Sequence, residues 1–447
     1  MKVSKKVLNR VEGEVLLKLL WDGGKVKDAY VCAPNFRGFE RVLEGKPYLD
    51  ALVLTPRVCG ICGHAHLMAT VRAVEDAYGR RGIDLKVSEK ALWIRKITAL
   101  AEIVQNHIRW FYLYLMPDFV RLNPKLADRF EPLKGKACRK ALDMSNRAIK
   151  VIAIFGGQWP HTSYAIPGGV VCDPNRDEIL RAKALLSSLL RSFCEEVFGM
   201  SEDSYLSLSS RDYLSVLGGD LRVFVEECFR NGLDIEGRSY ARFLVGGEIE
   251  GYVKPGVINK RVCGFHLKYV KEIDEYSFLS GNEKAYTWSR SVRYRGLPFE
   301  TGPLARTLVS GNKPVTSLYR TFGDSCMVRV VARVDETFRL ISLMREALSR
   351  IDPREPSWRK PPVDQDSFTS KGVGVVEAAR GTLIHEIEIN KGRIKRYNII
   401  TPTVWNLGPR DGENLGVVEK SLIGLDSEIK AHIVLRSFDV CSVCTAH

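Results

Sequence analysis

The stretch Arg57-Val58-Cys59-Gly60-Ile61-Cys62-Gly63-His64-Ala65-His66 contains two cysteines that are separated by two residues. A second pair stands near the other end of the chain, in Arg436-Ser437-Phe438-Asp439-Val440-Cys441-Ser442-Val443-Cys444-Thr445-Ala446-His447. Two intervening residues let both sulfurs of a pair turn onto one ion. Two pairs provide four thiolates, which suit zinc, an iron–sulfur cluster, or nickel with iron. The pattern predicts that both chain ends converge on a buried metal site.

The spacing alone leaves several kinds of site open. Structural zinc sites are usually local because they stabilise small folds, whereas these pairs lie at opposite ends of a 447-residue chain. An iron–sulfur cluster held by both pairs is an equal alternative. The other seven of the 11 cysteines stand alone, and we expect them to be small buried hydrophobic residues.

Composition and charge exclude other classes of protein. A hydrophobic fraction of 45% with 27% charged residues is typical of a folded globular chain. The net charge of +14 is spread along the sequence without a nucleic-acid-binding motif, so no nucleic-acid partner is expected. No apolar run is long enough for a transmembrane segment, and the basic start of the chain leads into no apolar signal region. We therefore expect a cytoplasmic protein that could associate with a membrane only through a partner.

Hydrophobic patterning predicts a mainly α-helical chain with β-hairpin-rich termini, an α+β organisation. Alternating residues around Asp22-Gly23-Gly24 and around Asn390-Lys391-Gly392 predict a hairpin at each end. Long helices are predicted over residues 88–116, from an N-cap at Asp173 to Gly199, and over residues 327–349. Residues 353–373 are predicted to be an exposed connection.

We expect a single large catalytic domain over residues 1–447. It would comprise a β-rich segment with the first cysteine pair (1–85), a helical body (86–350) and a β-rich segment with the second pair (374–447). The patterning of residues 201–290 is mixed and favours no particular structure.

Motifs along the whole chain resemble the large subunit of nickel–iron hydrogenases. The first pair fits Arg-x-Cys-Gly-x-Cys-x-x-x-His, and the second fits Asp-Pro-Cys-x-x-Cys-x-x-His with Val440 in place of the proline. Further matches lie in order at residues 10–13, 37–40, 156–161, 300–306, 377–381 and 402–411. The resemblance implies the long-helix bundle of that family and reversible heterolytic cleavage of H2 into protons and electrons.

The resemblance also implies the metal ligands. Nickel would be held by Cys59, Cys62, Cys441 and Cys444, with Cys62 and Cys444 bridging to an iron that carries carbon monoxide and cyanide. Cys441 would be the base that receives the proton from H2, and Glu12 would be the first proton relay.

Further residues of the family site have counterparts here. Arg380 would donate toward a cyanide and the open metal position, although Ala379 replaces the usual proline before it. Asp439 would orient Arg380, Thr403 would donate to the other cyanide, and Pro402 would shape the pocket of these small ligands. His66 and His161 match histidines near the site. Asn106 stands where many relatives carry aspartate.

A second cation and several partners are implied as well. Glu40, the carbonyl of Ile399 and His447 match the ligands of a hard divalent cation, usually Mg²⁺. An obligate small subunit would carry the iron–sulfur clusters, since the single cysteines of this chain show no cluster spacing. Maturation factors would insert the metals, with a C-terminal endopeptidase where a precursor extension exists.

Two other functions share this ancestry. A hydrogen-sensing regulatory subunit that signals through a partner kinase would use the same site, and it is the main alternative. The related respiratory complex I subunit has lost the metal cysteines, all four of which are present here.

Overall fold

A computed structural model describes residues 2–209 and 213–445. The strands are β1 (Lys2–Leu8), β2 (Val15–Asp22), β3 (Lys25–Cys32), β4 (Ala165–Ile166), β5 (Gly169–Val170), β6 (Phe243–Val245), β7 (Gly256–Asn259), β8 (Arg261–Cys263), β9 (Val270–Ile273), β10 (Ser291–Tyr294), β11 (Ser370–Ala378), β12 (Gly381–Asn390) and β13 (Arg393–Ile400). They form small antiparallel sheets, of which β1-β2-β3 and β11-β12-β13 are the longest.

Helices make up most of the rest of the chain. They are α1 (Phe39–Leu43), α2 (Ala51–Leu54), α3 (Gly63–Gly79), α4 (Glu89–Arg109), α5 (Met116–Leu122), α6 (Ala127–Phe130), α7 (Lys136–Gly156), α8 (Arg176–Phe193), α9 (Glu202–Leu206), α10 (Tyr213–Val216), α11 (Gly219–Asn231), α12 (Pro303–Val309), α13 (Lys313–Phe322), α14 (Cys326–Leu348), α15 (Pro402–Leu407), α16 (Val417–Leu422) and α17 (Glu428–Ser437). In residues 2–209 and 213–445, every helix is too short or too polar to cross the apolar core of a bilayer.

The long helices form the centre of the molecule. Helix α4 packs against α7 and α14, and one cluster of buried apolar side chains extends from Leu8 to Val440. The predicted helix over 88–116 corresponds to α4 followed by a π-helical segment, Trp110–Leu115, and the helix over 327–349 corresponds to α14. The structure is thus a mixed fold of helices with small sheets.

The start of helix α8 differs from the prediction. The N-cap is Asn175, not Asp173, because Asn175 Oδ1 accepts from the backbone N–H of Glu178 while the Glu178 carboxylate accepts from the Asn175 N–H. Asp173 instead forms an ion pair with the buried ammonium group of Lys90.

Both terminal hairpins are confirmed, but the exposed connection predicted over 353–373 is wrong at its end. Residues from Ser370 onward form β11, which adds a third strand to the C-terminal sheet. A Cβ on Gly372 or Gly374 would lie 1.9 Å from a backbone carbonyl oxygen of α3, from Ala73 and Ala69 respectively. Glycine therefore lets α3 pack directly on this sheet, and α3 is the helix that follows the first cysteine pair.

Candidate metal centre

The four paired cysteines lie together and are buried. The Sγ atoms of Cys59 and Cys441 are 3.7 Å apart, and those of Cys62 and Cys444 are 3.6 Å apart. Within the second pair, the sulfurs of Cys441 and Cys444 are separated by 2.9 Å. Two segments separated by almost the whole chain thus contribute one compact group of sulfur atoms.

The first pair is positioned by helix α3, which begins directly after Cys62. The first turn of that helix is held by the buried carboxyl group of Glu102 on α4. Glu102 accepts the backbone N–H of His64 at 2.9 Å and that of Ala65 at 3.0 Å. Burial raises the pKa of Glu102 to about 8. A carboxyl group from a neighbouring helix therefore fixes the point where the chain leaves the first pair.

The second pair is held by contacts with distant segments. The backbone N–H of Ser442 donates to the carbonyl of Glu12 at 2.9 Å, and Thr401 Oγ1 donates to the carbonyl of Cys444 at 2.5 Å. Gly13 has a φ of +82°, and a Cβ there would lie 2.4 Å from Ser442 Oγ. The N-terminal segment therefore lies directly against the second pair.

The pKa shifts of the four thiols indicate which kind of metal group they can hold. Hydrogen bonds from neighbouring thiols, from Cys441 first, lower the pKa of the Cys59 thiol well below its ordinary value. Burial raises the pKa of the Cys441 thiol, and hydrogen bonding to Cys441 raises that of Cys444. Four buried sulfurs cannot all be thiolates without a compensating cation, and soft metals prefer such a donor set. The residues fit a nickel–iron group.

Arg380, Asp439 and Asn106 form a buried polar group beside the sulfurs. Arg380 Nε donates to the Asp439 carbonyl at 2.7 Å, and its Nη2 lies 3.1 Å from Asp439 Oδ1. The Asn106 amide donates to Asp439 Oδ2 at 2.7 Å. Burial alone would lower the pKa of Arg380, but Asp439 and the cysteine sulfurs hold it well above its usual value. The guanidinium therefore stays charged.

Glu12 lies between the two cysteine pairs. Its backbone is bridged to Cys441, and a Cβ on Gly60 would be 3.9 Å from Glu12 Oε1. Burial raises the pKa of this carboxyl group, and the charge of Cys59 adds to the effect.

The other predicted site residues are distributed around this centre. A ring nitrogen of His66 lies within 4.8 Å of the sulfurs of Cys62 and Cys444. Pro402 and Thr403 are buried in the first turn of α15. His161 Nδ1 lies 3.0 Å from the carbonyl oxygen of Pro56, on the chain just before the first pair.

The predicted Mg²⁺ ligands are described in part. Glu40 Oε1 accepts the backbone N–H of Ile399 at 2.8 Å, and Glu40 Oε2 is 3.7 Å from the Arg290 guanidinium. These contacts bring Glu40 next to the Ile399 backbone, whereas His447 lies outside the described residues.

Several buried polar residues near the centre were not found from the sequence. Arg333 on α14 stacks 4.0 Å from the Trp110 ring centroid and lies 3.6 Å from Asp439 Oδ2. Burial lowers the pKa of Arg333 to about 10. Glu102 and His385 were missed in the same way. The sequence did offer one signal for these residues, since each is a charged or ionisable residue inside a strongly apolar stretch. Such residues are rarely buried without a partner.

Comparison with known proteins decides the family. The sequence profile of nickel-dependent hydrogenases matches residues 37–132 and 264–447. The chain belongs to the nickel-dependent hydrogenase family. Its reaction is therefore the interconversion of H2 with protons and electrons at a nickel–iron centre.

Individual hydrogenases are similar to this chain over nearly its full length. The chain is 28% identical to the periplasmic [NiFeSe] hydrogenase large subunit of Desulfomicrobium baculatum, covering 100% of this chain and 95% of that protein. It is 25% identical to the uptake hydrogenase large subunit of Rhodobacter capsulatus, covering 98% of this chain and 94% of that protein. A solved structure of H2-activated D. baculatum [NiFeSe]-hydrogenase superposes with a TM-score of 0.84 at 26% identity, covering 100% of both chains. The hydrogenase fold thus extends over the region 133–263 that the profile leaves unmatched.

Proposed function

We propose that this chain is the large subunit of a hydrogenase and that Cys59, Cys62, Cys441 and Cys444 hold its nickel, with Cys62 and Cys444 shared with iron. The observation that carries the proposal is the meeting of four buried sulfurs from both chain ends. When bound, the metals would supply an open position at which H2 is polarised and split. We further propose that residues 1–447 act as one catalytic domain, as the continuous apolar core supports.

Carbon monoxide and two cyanides on the iron are the finer part of this proposal. Arg380 Nη1 is buried and has no hydrogen-bond partner among residues 2–209 and 213–445. Such a donor is costly unless it meets an acceptor, and a cyanide nitrogen would satisfy it. Thr403 would donate to the second cyanide, and Pro402 would form the apolar wall of the same pocket. Asp439 holds the guanidinium in this orientation through two contacts.

Protons from H2 would leave the site through the side chain of Glu12. Cys441 would accept the proton first, and Glu12 would take it onward. Glu12 is bridged to Cys441 through the backbone, and burial raises its pKa, which makes this carboxyl group a better proton acceptor.

A Mg²⁺ ion would fix the C-terminal segment. Glu40, the carbonyl of Ile399 and His447 would be its protein ligands, with waters completing an octahedron. The hydrogen bond that brings Glu40 to the Ile399 backbone supports this grouping.

Electrons would leave to an iron–sulfur small subunit. Within residues 2–209 and 213–445, the cysteines outside the four clustered ones belong to no group of three or more possible metal ligands that could carry a cluster. Metal insertion by maturation factors, and cleavage of any C-terminal extension, would precede assembly. Cytoplasmic localisation stays a prediction from the sequence.

Infrared spectroscopy combined with metal analysis tests the proposal. Protein matured in its own host should contain one nickel per large subunit, with iron in excess of that held by the small subunit's clusters, and its spectrum should show one carbon monoxide band and two cyanide bands. Zinc in place of nickel, without these bands, would contradict the proposal.

A further inference from the structure

A buried hydrogen-bond chain runs from the sulfurs of Cys62 and Cys444 into the C-terminal sheet. His66 Nδ1 on α3 lies 3.0 Å from His385 Nε2 on β12. His385 Nδ1 lies 2.8 Å from the hydroxyl oxygen of Tyr397 on β13. All three side chains are buried.

This hydrogen-bond chain ends within the protein core. The Tyr397 hydroxyl is 2.9 Å from Thr70 Oγ1, which is 2.8 Å from Thr55 Oγ1, and Thr55 donates to the backbone carbonyl of Ala51 at 2.8 Å. Thr70 also donates to the backbone carbonyl of His66 at 3.0 Å, so along the described residues this path ends on buried carbonyls. A path of this kind can orient protons but does not deliver them to solvent.

The proton positions along the chain are coupled. A neutral imidazole carries one N–H and one acceptor nitrogen. Only one proton can lie between His66 Nδ1 and His385 Nε2, so the tautomer of one ring dictates that of the other. Two arrangements are possible, and they point in opposite directions.

The sulfurs decide between these arrangements. One ring nitrogen of His66 lies within 4.8 Å of the sulfurs of Cys62 and Cys444. Because Nδ1 is engaged by His385, we assign Nε2 to the sulfurs. Thiolates accept hydrogen bonds, so a lone pair on Nε2 would be repelled whereas an N–H would be attracted. Nε2 must then carry the proton, and Nδ1 must accept from His385.

The Tyr397 end of the hydrogen-bond chain is suited to donation toward the sulfurs. If His385 Nε2 donates, His385 Nδ1 must accept, and two hydroxyls are placed to donate to it, that of Tyr397 at 2.8 Å and that of Thr70 at 3.1 Å. Burial raises the pKa of Tyr397, so the phenol keeps its proton. The direction therefore runs from Tyr397, with Thr70 beside it, through His385 and His66 to the sulfurs.

We propose that His385 and Tyr397 are positioning residues that fix the tautomer of His66 and thereby maintain its N–H donation to the two sulfurs shared with iron. This inference rests on the proposed function of the cysteine cluster. Donation to a thiolate withdraws electron density from the metals it binds. Loss of the donation should make the iron more electron-rich and lower the stretching frequency of its carbon monoxide.

Substitutions at His385 test the direction of the chain in the matured heterodimer. H385L removes the donor to His66, whereas the side-chain amide of H385Q can still donate. We expect the carbon monoxide band of H385L to move to lower wavenumber and that of H385Q to return toward the wild-type position. Y397F removes a single oxygen, so it tests the same chain if H385L fails to fold, and it should cause a smaller shift in the same direction.

A buried tyrosine elsewhere provides the control. Y48F removes a similar hydrogen bond, 2.7 Å long, between Tyr48 and Tyr78, and should leave the bands in place. Equal shifts in H385L and H385Q would indicate a packing effect and overturn the proposal, as would unchanged bands in both H385L and Y397F. Absence of bands from the wild-type protein would instead overturn the proposed function, and this inference with it.

Discussion

The two cysteine pairs use the same spacing but are held in place differently. The first pair leads directly into α3, and that helix is fixed by Glu102 on α4 and by the C-terminal sheet. The second pair follows α17 in a short turn whose contacts come from Glu12 and Thr401, far away in sequence.

This difference concerns the contacts on which each pair depends. The first pair is held through α3, which packs against both α4 and the C-terminal sheet. The second pair reaches its position only when the N-terminal segment and β13 are both in place. The position of the second pair should therefore depend more on individual hydrogen bonds.

The largest effect is expected from losing one sulfur of either pair. C62S and C444S should each abolish nickel binding and H2 oxidation, because three thiolates and a hydroxyl make a much poorer site for a soft metal. Nickel content and activity of the purified heterodimer measure this. C138S is the matched control, since Cys138 is buried outside the cluster and donates only to backbone carbonyls. Nickel retained in one variant alone would show that the two pairs are not equal partners in binding.

Removal of the carboxylate between the pairs should slow proton transfer without loss of metal. We expect E12Q to reduce H2 oxidation by about 10²-fold or more, in the range found for lost acid–base groups. Nickel and iron contents should stay at wild-type levels. E14Q is the matched control, because Glu14 is an exposed carboxylate two residues away. Unchanged turnover in E12Q would remove Glu12 from the proton path.

The anchor of the first pair should respond to pH. The pKa of Glu102 is raised by burial from 4.5 to about 8, so its contribution to stability is fully present below pH 4.5 and is lost as the pH rises through 8. The loss amounts to a few kcal/mol at about 1.4 kcal/mol per pH unit. E102Q should flatten the pH dependence of the unfolding free energy between pH 5 and 8, as measured by denaturant titration. An identical slope in E102Q and wild type would contradict this.

The smallest effect concerns a single hydrogen bond to the second pair. T401V removes the donor to the Cys444 carbonyl, which is worth about 1 kcal/mol, so nickel loss to a chelator should become several times faster. T307V is the matched control, because Thr307 is buried and donates to the carbonyl of Pro303 outside the cluster. Equal rates in T401V and wild type would mean that the second pair is as self-supporting as the first.

The structure brings the four paired cysteines together, whereas their spacing alone left zinc, an iron–sulfur cluster and nickel with iron open. The residues that support these cysteines were harder to predict. Glu102 and Arg333 lie in helices whose apolar periodicity defines the element but does not indicate which polar residue faces a neighbouring helix. The start of β11 was missed because the polar composition of residues 353–373 is typical of a loop, whereas Gly372 and Gly374 allow α3 to approach the sheet. Such tertiary contacts are not encoded in local patterning.

Anomalous diffraction at the nickel and iron absorption edges of the matured protein tests the central claim most directly. We expect a nickel peak within bonding distance of all four cysteine sulfurs and an iron peak beside Cys62 and Cys444. A single zinc peak among the sulfurs, or nickel at another position, would contradict the account.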